Sequence, residues 1–223
     1  MRPVHPGVVL FDLDGTLTES GPGVVSSLRY AFDAIGVPPP DDATLMRFVG
    51  PPLVDSFRDV AGLDDAVAND ALVAYRRYFV QQGMFENSVY PGILELLRAL
   101  VDSGRRLAVA TSKPLPYARP IVEHFALIEY FEVVCGPDFD GSGAVKTAVV
   151  ADAMAALNVT AGTDVVLVGD RSHDVIGAHD NGIGCIGVLW GYGSRTELSG
   201  AEAIAADVEE LTSLLGINSI NGR

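Results

Sequence analysis

The run Val8-Val9-Leu10-Phe11-Asp12-Leu13-Asp14-Gly15-Thr16-Leu17 constrains this chain more than any other stretch. Four apolar residues without a break suit a strand covered on both faces, as in a parallel sheet with helices on each side. Asp12 and Asp14 then stand where the strand ends, and alternation sends both side chains to one side. Two carboxylates so placed repel each other and need a cation or a shared proton. Asp14-Gly15 alone also fits a hairpin turn, but a turn has no need of Asp12.

From Thr16 to Ser88 the strand signals stop and helical ones recur. Ser20-Gly21-Pro22 opens a helix carrying Val25, Leu28, Phe32 and Ile35, which ends near Gly36 and the Pro38-Pro39-Pro40 break. Asp41-Asp42 begins a short helix running to Gly50-Pro51-Pro52. Further helical patterns cover Leu53 to Val60 and Asp65 to Val80. This segment reads as a small helical bundle inserted after the first strand, a lid over the strand end.

From Tyr90 strand alternates with helix, the strands falling at 106–111, 131–135, 164–168 and 184–188. That alternation implies βαβ units and a parallel sheet. Ser194 with Glu197, and Asp207 with Glu210, form capping-box patterns ahead of two last helices. The expected fold is α/β: a Rossmann-like parallel sheet core, residues 1–15 and 89–223, with a helical cap over residues 16–88.

The 48% hydrophobic fraction in 223 residues can fill such a core and argues against disorder. The net charge of −14 repels nucleic acid and anionic lipid, so neither is an expected partner, while a local field can still favour a small anion. Cys135 and Cys185 sit in apolar, strand-like contexts and read as buried reduced thiols. No signal peptide and no apolar run of the ~20 residues a membrane helix needs is visible, so a cytoplasmic location is expected. Oligomeric state leaves no mark on the sequence.

In a parallel α/β sheet, chemistry gathers beyond the carboxyl ends of the strands. Three apolar strands here end in polar clusters, Asp12/Asp14, Thr111/Ser112 and Asp170/Asp174, and Lys146 lies early on an intervening helix. Each has a plain alternative. Thr111-Ser112-Lys113-Pro114 also reads as a helix start, and Gly169-Asp170-Arg171-Ser172 as a capped turn. The functional reading makes Thr111 and nearby backbone N–H groups an anion site. Lys146 opposes the helix dipole, which points to a task such as bridging a carboxylate and a phosphate. Carboxylates with no His or Cys cluster around them suit Mg²⁺ rather than Zn²⁺.

Together these residues resemble, in content and order, the four motifs of the haloacid dehalogenase-like phosphohydrolases. The resemblance implies Asp12 as nucleophile, Asp14 as acid/base, and Thr111, Ser112 and Lys146 as phosphate partners. It further implies Mg²⁺ held by Asp12, the Asp14 carbonyl and Asp170, with Asp174 beside it. The stretches GPPL, ENSVYPG, GDRSHDVIGA and WGYGSR are most similar to the phosphoglycolate-phosphatase-like branch, which carries a helical cap. The implied activity is hydrolysis of a small phosphorylated metabolite, phosphoglycolate-like or a nucleoside monophosphate. Arg47, the cation nearest the Gly50-Pro51-Pro52 turn, either meets an anionic substrate tail or is one more solvated helix arginine. That turn lacks the arginine that sugar-phosphate mutases of the family often carry, which argues against a mutase. A phosphotransferase or sugar-phosphate mutase using the same intermediate, and a non-catalytic interaction protein keeping the fold, are the rival readings.

Overall fold

The computed structural model describes residues 5–49, 53–139, 145–162 and 164–217, so the Gly50-Pro51-Pro52 turn lies outside the described residues. In chain order the elements are β1 (Val8–Phe11), β2 (Thr18–Glu19), α1 (Gly21–Ala34), α2 (Asp42–Met46), α3 (Leu53–Asp59), α4 (Asp65–Gln81) and β3 (Ser88–Val89). They continue with α5 (Ile93–Asp102), β4 (Arg106–Ala110), α6 (Leu115–His124), β5 (Val133–Cys135), α7 (Lys146–Ala156) and β6 (Val165–Gly169). The last are α8 (Ser172–Asp180), β7 (Gly184–Val188), β8 (Ala203–Ala205) and α9 (Val208–Leu214). The chain divides into two compact units, Met1–Thr18 with Val89–Arg223, and Glu19–Ser88.

The larger unit is built on a six-stranded sheet in the order β5-β4-β1-β6-β7-β8, with every pairing parallel. All four residues of β1 are buried, as a strand with helices over both faces requires. Val8 and Leu10 share a core with Ala108, Ala110 and Leu167, and with Val149, Val150 and Ala153 of α7 and Ala178 of α8. Phe11 points the other way and meets the edge of the Phe131 ring at 6.1 Å between centroids. Register then sets the site. Phe11 lies opposite Val109 on one side and Val168 on the other, so β1, β4 and β6 end nearly level.

The smaller unit is helical. The Asp41 carboxylate accepts the Thr44 N–H at 2.8 Å and starts α2, and Asp64 does the same for Val67 at 2.9 Å to start α4. Phe32, Phe48 and Phe57 pack edge to face, 5.4–6.4 Å apart, at the centre of this unit.

Several expected elements differ. The capping pattern Ser194/Glu197 opens no helix; residues 195–200 form turns. The Ser194 hydroxyl does accept the Glu197 N–H at 3.2 Å, but the Glu197 carboxylate is drawn to Arg171 and Ser172 instead of back to Ser194. β8 escaped the sequence reading because Ala203-Ile204-Ala205 lacks the β-branched run of a strand. The strand expected from Phe131 begins at Val133, since the Phe131 N–H still closes a turn on the Ile128 carbonyl. Both cysteines are free; Cys185 is buried, whereas Cys135, on the edge strand β5, is only half-buried. Among the described residues no helix is long and apolar enough to cross a membrane.

Candidate active site

The Asp12 N–H donates to the Val168 carbonyl at 2.9 Å, carrying the sheet one residue past β1 before the chain turns. No hairpin follows. Gly15 takes φ = +79°, and its N–H closes a tight loop on the Thr18 carbonyl at 2.8 Å. A Cβ at Gly15 would collide with the Asp170 carboxylate and the Tyr192 ring, so backbone geometry and space both require glycine there.

Asp12, Asp170 and Asp174 are buried together, one carboxylate oxygen from each lying within 4.8 Å of the others. Lys146 reaches this cluster from the first turn of α7. Its ammonium lies 2.6 Å from Asp12 Oδ1 and 2.7 Å from Asp174 Oδ1, and it donates to the Ala110 carbonyl at 2.8 Å. The contacts to Asp12 and the Ala110 carbonyl are hydrogen bonds, while Asp174 Oδ1 meets the ammonium as an ion pair. Asp174 Oδ2 accepts the Arg171 N–H at 3.0 Å, so the same carboxylate also steadies the start of α8.

Burial raises Asp12 from its ordinary 3.8 to about 6, with Lys146 opposing the shift and Asp174 adding to it. Asp170 is pushed up to about 8, first by burial and then by Asp12 and Asp174, against the pull of the Tyr192 N–H and Arg171. Lys146 is held above its usual value; burial works against its charge, but Asp12 and Asp174 more than offset that.

Asp14 does not join this cluster. Its Oδ2 pairs with Lys113 Nζ at 2.8 Å, while its Oδ1 is buried without a hydrogen-bond partner among the described residues. The two carboxylates expected to share one cation or proton are thus divided between two lysines. Lys113 went unremarked in the sequence because Thr111-Ser112-Lys113-Pro114 reads as a helix start. In the structure α6 begins only at Leu115, and the Thr111 hydroxyl accepts the Lys113 N–H at 3.2 Å, bracing the loop rather than capping the helix. Thr111 is buried beside the end of β4 and Ser112 is exposed. Arg47 lies in the helical unit, exposed, at the C-terminal end of α2.

A second feature that sequence reasoning missed is the strap from Trp190 to Glu197. Trp190 Nε1 donates to the Thr16 carbonyl at 3.1 Å, and the Tyr192 N–H donates to Asp170 Oδ2 at 2.7 Å. Gly193 passes so close to the Asp170 carbonyl that no Cβ fits. Glu197 Oε1 accepts from Arg171 Nε at 2.8 Å, Ser172 N–H at 3.0 Å and Ser172 Oγ at 3.1 Å. The strap therefore joins the loops after β1 and β6. Its traces in the sequence are the stretch WGYGSR, with Gly191 and Gly193, and the Ser194/Glu197 pattern, none of which shows these contacts.

The donor set fits Mg²⁺. Three converging carboxylates supply hard oxygen ligands without histidine or cysteine, and one lysine leaves them with excess negative charge. Burial first, and the neighbouring carboxylates after it, raise Asp12 and Asp170, and a divalent cation would oppose both effects.

A family model described as haloacid dehalogenase-like hydrolase matches residues 9–188. A 5′-nucleotidase of Pseudomonas aeruginosa is 43% identical over 190 residues, 85% of this chain and 86% of that protein. The tyrosine-protein kinase PtkA of Mycobacterium tuberculosis is 44% identical over 216 residues, 95% of this chain and 73% of its own. A phosphoglycolate phosphatase of Cupriavidus necator is 34% identical over 214 residues, covering 93% of this chain and 92% of its own. The crystal structure of a predicted phosphatase from Clostridium acetobutylicum superposes with a TM-score of 0.85 at 43% identity, covering 95% of this chain and 98% of that one.

Proposed function

The chain belongs to the haloacid dehalogenase-like hydrolases and is a phosphatase, and from that premise we propose a Mg²⁺-dependent phosphomonoester hydrolase that works through an aspartyl-phosphate on Asp12. One observation carries this reading: Asp12, Asp170 and Asp174 converge at the carboxyl edge of the sheet with Lys146 across from them.

Asp12 attacks phosphorus in line with the leaving oxygen, splitting one hard displacement into two easier ones. Asp14 gives a proton to the departing oxygen, then takes one from the water that opens the phosphoenzyme. Asp12, the Asp14 carbonyl and Asp170 would hold Mg²⁺, which would supply charge neutralisation between an anionic nucleophile and an anionic phosphate. Asp174 acts on that site as a nearby charge and as the anchor of Lys146. Thr111, the Ser112 N–H and Lys146 are assigned to the phosphate oxygens, where positioning and charge account for most of the catalysis. Lys146 takes up that contact by releasing one of its three present partners.

The substrate is a small phosphorylated metabolite. Nucleoside 5′-monophosphates come first, because the nucleotidase relative is more alike than the phosphoglycolate phosphatase, at 43% against 34% identity. Substrate choice is assigned to the helical unit, with Arg47 as the cation for an anionic tail; Arg47→Ala then raises KM for phosphoglycolate more than for p-nitrophenyl phosphate. The test of the main reading is turnover of p-nitrophenyl phosphate and a nucleoside monophosphate panel, with Mg²⁺ and with EDTA. Turnover that depends on Mg²⁺ and disappears in Asp12→Asn is the expected result, and metal-independent turnover by that variant overturns the mechanism.

The 44% identity to PtkA favours a second reading, in which a tyrosine hydroxyl takes the phosphoryl group in place of water. Phosphate appearing on a tyrosine peptide faster than in solution would establish it.

A further inference from the structure

Asp14 has two unequal oxygens. Oδ2 is 2.8 Å from the Lys113 ammonium, and Oδ1 is buried with no hydrogen-bond partner among the described residues. A buried carboxylate oxygen left without a donor is uncommon enough in folded proteins to need a reason. The lysine opposite it is also held in place. Its backbone N–H is bonded to the Thr111 hydroxyl, and Gly136 on the loop after β5 packs against its carbonyl so closely that a Cβ there would come to 2.6 Å. Its side chain is only 9% exposed. Asp14 is held from its own side by the tight Gly15–Thr18 loop.

We propose that Lys113 is a positioning residue for Asp14: by occupying Oδ2 it leaves Oδ1 as the oxygen that carries the transferred proton. This rests on the acid/base role given to Asp14 above. In the first half-reaction the bond from Asp12 to phosphorus forms, the bond from phosphorus to the leaving oxygen breaks, and the proton on Oδ1 passes to that oxygen. In the second, water oxygen bonds to phosphorus, its proton returns to Oδ1, and the bond from Asp12 to phosphorus breaks. A proton on Oδ2 would have to share that oxygen with an ammonium, which disfavours it. Lys113 and Lys146 thus divide the work, one setting the proton carrier and the other the nucleophile.

The test compares leaving groups in the Mg²⁺-loaded protein. Benzyl phosphate releases an alkoxide that needs a proton, and p-nitrophenyl phosphate releases an anion that does not. Lys113→Met should lower kcat on benzyl phosphate about 10- to 100-fold, part of the 10²–10⁴ that acid catalysis supplies, and should lower it at least tenfold less on p-nitrophenyl phosphate. Lys113→Arg should recover most of the loss. If Lys113→Met does not fold, Lys113→Gln serves the same comparison. Equal losses on both esters, or no loss on either, overturn the proposal. Asp14→Asn separates the two ways of failing. If it shows the leaving-group-dependent loss and the lysine variants do not, the acid/base reading stands and the role of Lys113 falls; if it shows none, both fall.

Discussion

Lys146 Nζ meets Asp12 Oδ1 at 2.6 Å, joining the first turn of α7 to the end of β1 across 134 residues of sequence. Both groups are buried, so neither is screened as a surface pair would be. Lys146→Met removes the cation that meets both Asp12 and Asp174 and leaves a buried carboxylate cluster uncompensated. Breaking a buried pair in this way costs about 3–5 kcal/mol. Urea unfolding should show a loss of that order in EDTA and a smaller loss with Mg²⁺, because a bound cation replaces part of the missing charge. Equal losses in the two buffers would count against a metal at Asp12 and Asp170.

Burial of the cluster, with crowding added to it, also makes stability depend on pH. Asp170 rises from 3.8 to about 8 and Asp12 from 3.8 to about 6, so the folded chain holds protons that the unfolded chain has released. Stability therefore falls as pH rises through the window from about 4 to about 8, and below it the contribution is fully present. Melting in EDTA should move downward across that range. The increment from added Mg²⁺ should grow over the same range, as fewer protons compete for the oxygens. A metal-free protein that becomes more stable from about pH 5 to about pH 8 would contradict the upward shifts of Asp12 and Asp170.

Asp12→Asn removes the attacking anion and keeps the shape. Lys146 retains Asp174 and the Ala110 carbonyl as partners, and one member of a repelling cluster becomes neutral. The folded state should change by less than about 1 kcal/mol in EDTA, since lost attraction and relieved repulsion oppose each other. Turnover should drop to background, and intact-mass measurement should find no phosphate adduct. Wild-type turnover in a well-folded Asp12→Asn protein would rule out nucleophilic attack by this residue.

The parallel sheet, the site's edge and most of its acids were legible because each rests on a local signal. A four-residue apolar run ends at Asp12, another ends at Asp170, and parallel register brings the two level. What stayed hidden was pairing at long range. Nothing local distinguishes Lys113 from a helix-start lysine, or says that Lys146 has both Asp12 and Asp174 as partners. Glu197 misled for the same reason: the pattern Ser194-x-x-Glu197 describes a helix start, yet three donors at Arg171 and Ser172 outcompete one N–H at Ser194. Capping statistics describe helices in isolation, and here tertiary hydrogen bonds decided the outcome.

Glu197 is also where the strap can be tested. It fastens the segment carrying the Tyr192 N–H, which holds Asp170 Oδ2 at 2.7 Å, to the start of α8. Glu197→Ala deletes three hydrogen bonds from one oxygen at a site that is about three-quarters buried. Water can reach some of the freed donors, so the stability loss should be about 1–2 kcal/mol, below the sum of three charge-assisted bonds. The more telling effect is on the metal. Partners that orient a ligating carboxylate are commonly worth about 10–100-fold in metal affinity, so the Mg²⁺ concentration giving half of the maximal thermal shift should rise by that order. Glu197→Gln keeps an acceptor in place and should fall between wild type and alanine on both measures. A Glu197→Ala protein that loses stability while binding Mg²⁺ as wild type does would confine the strap to a structural role.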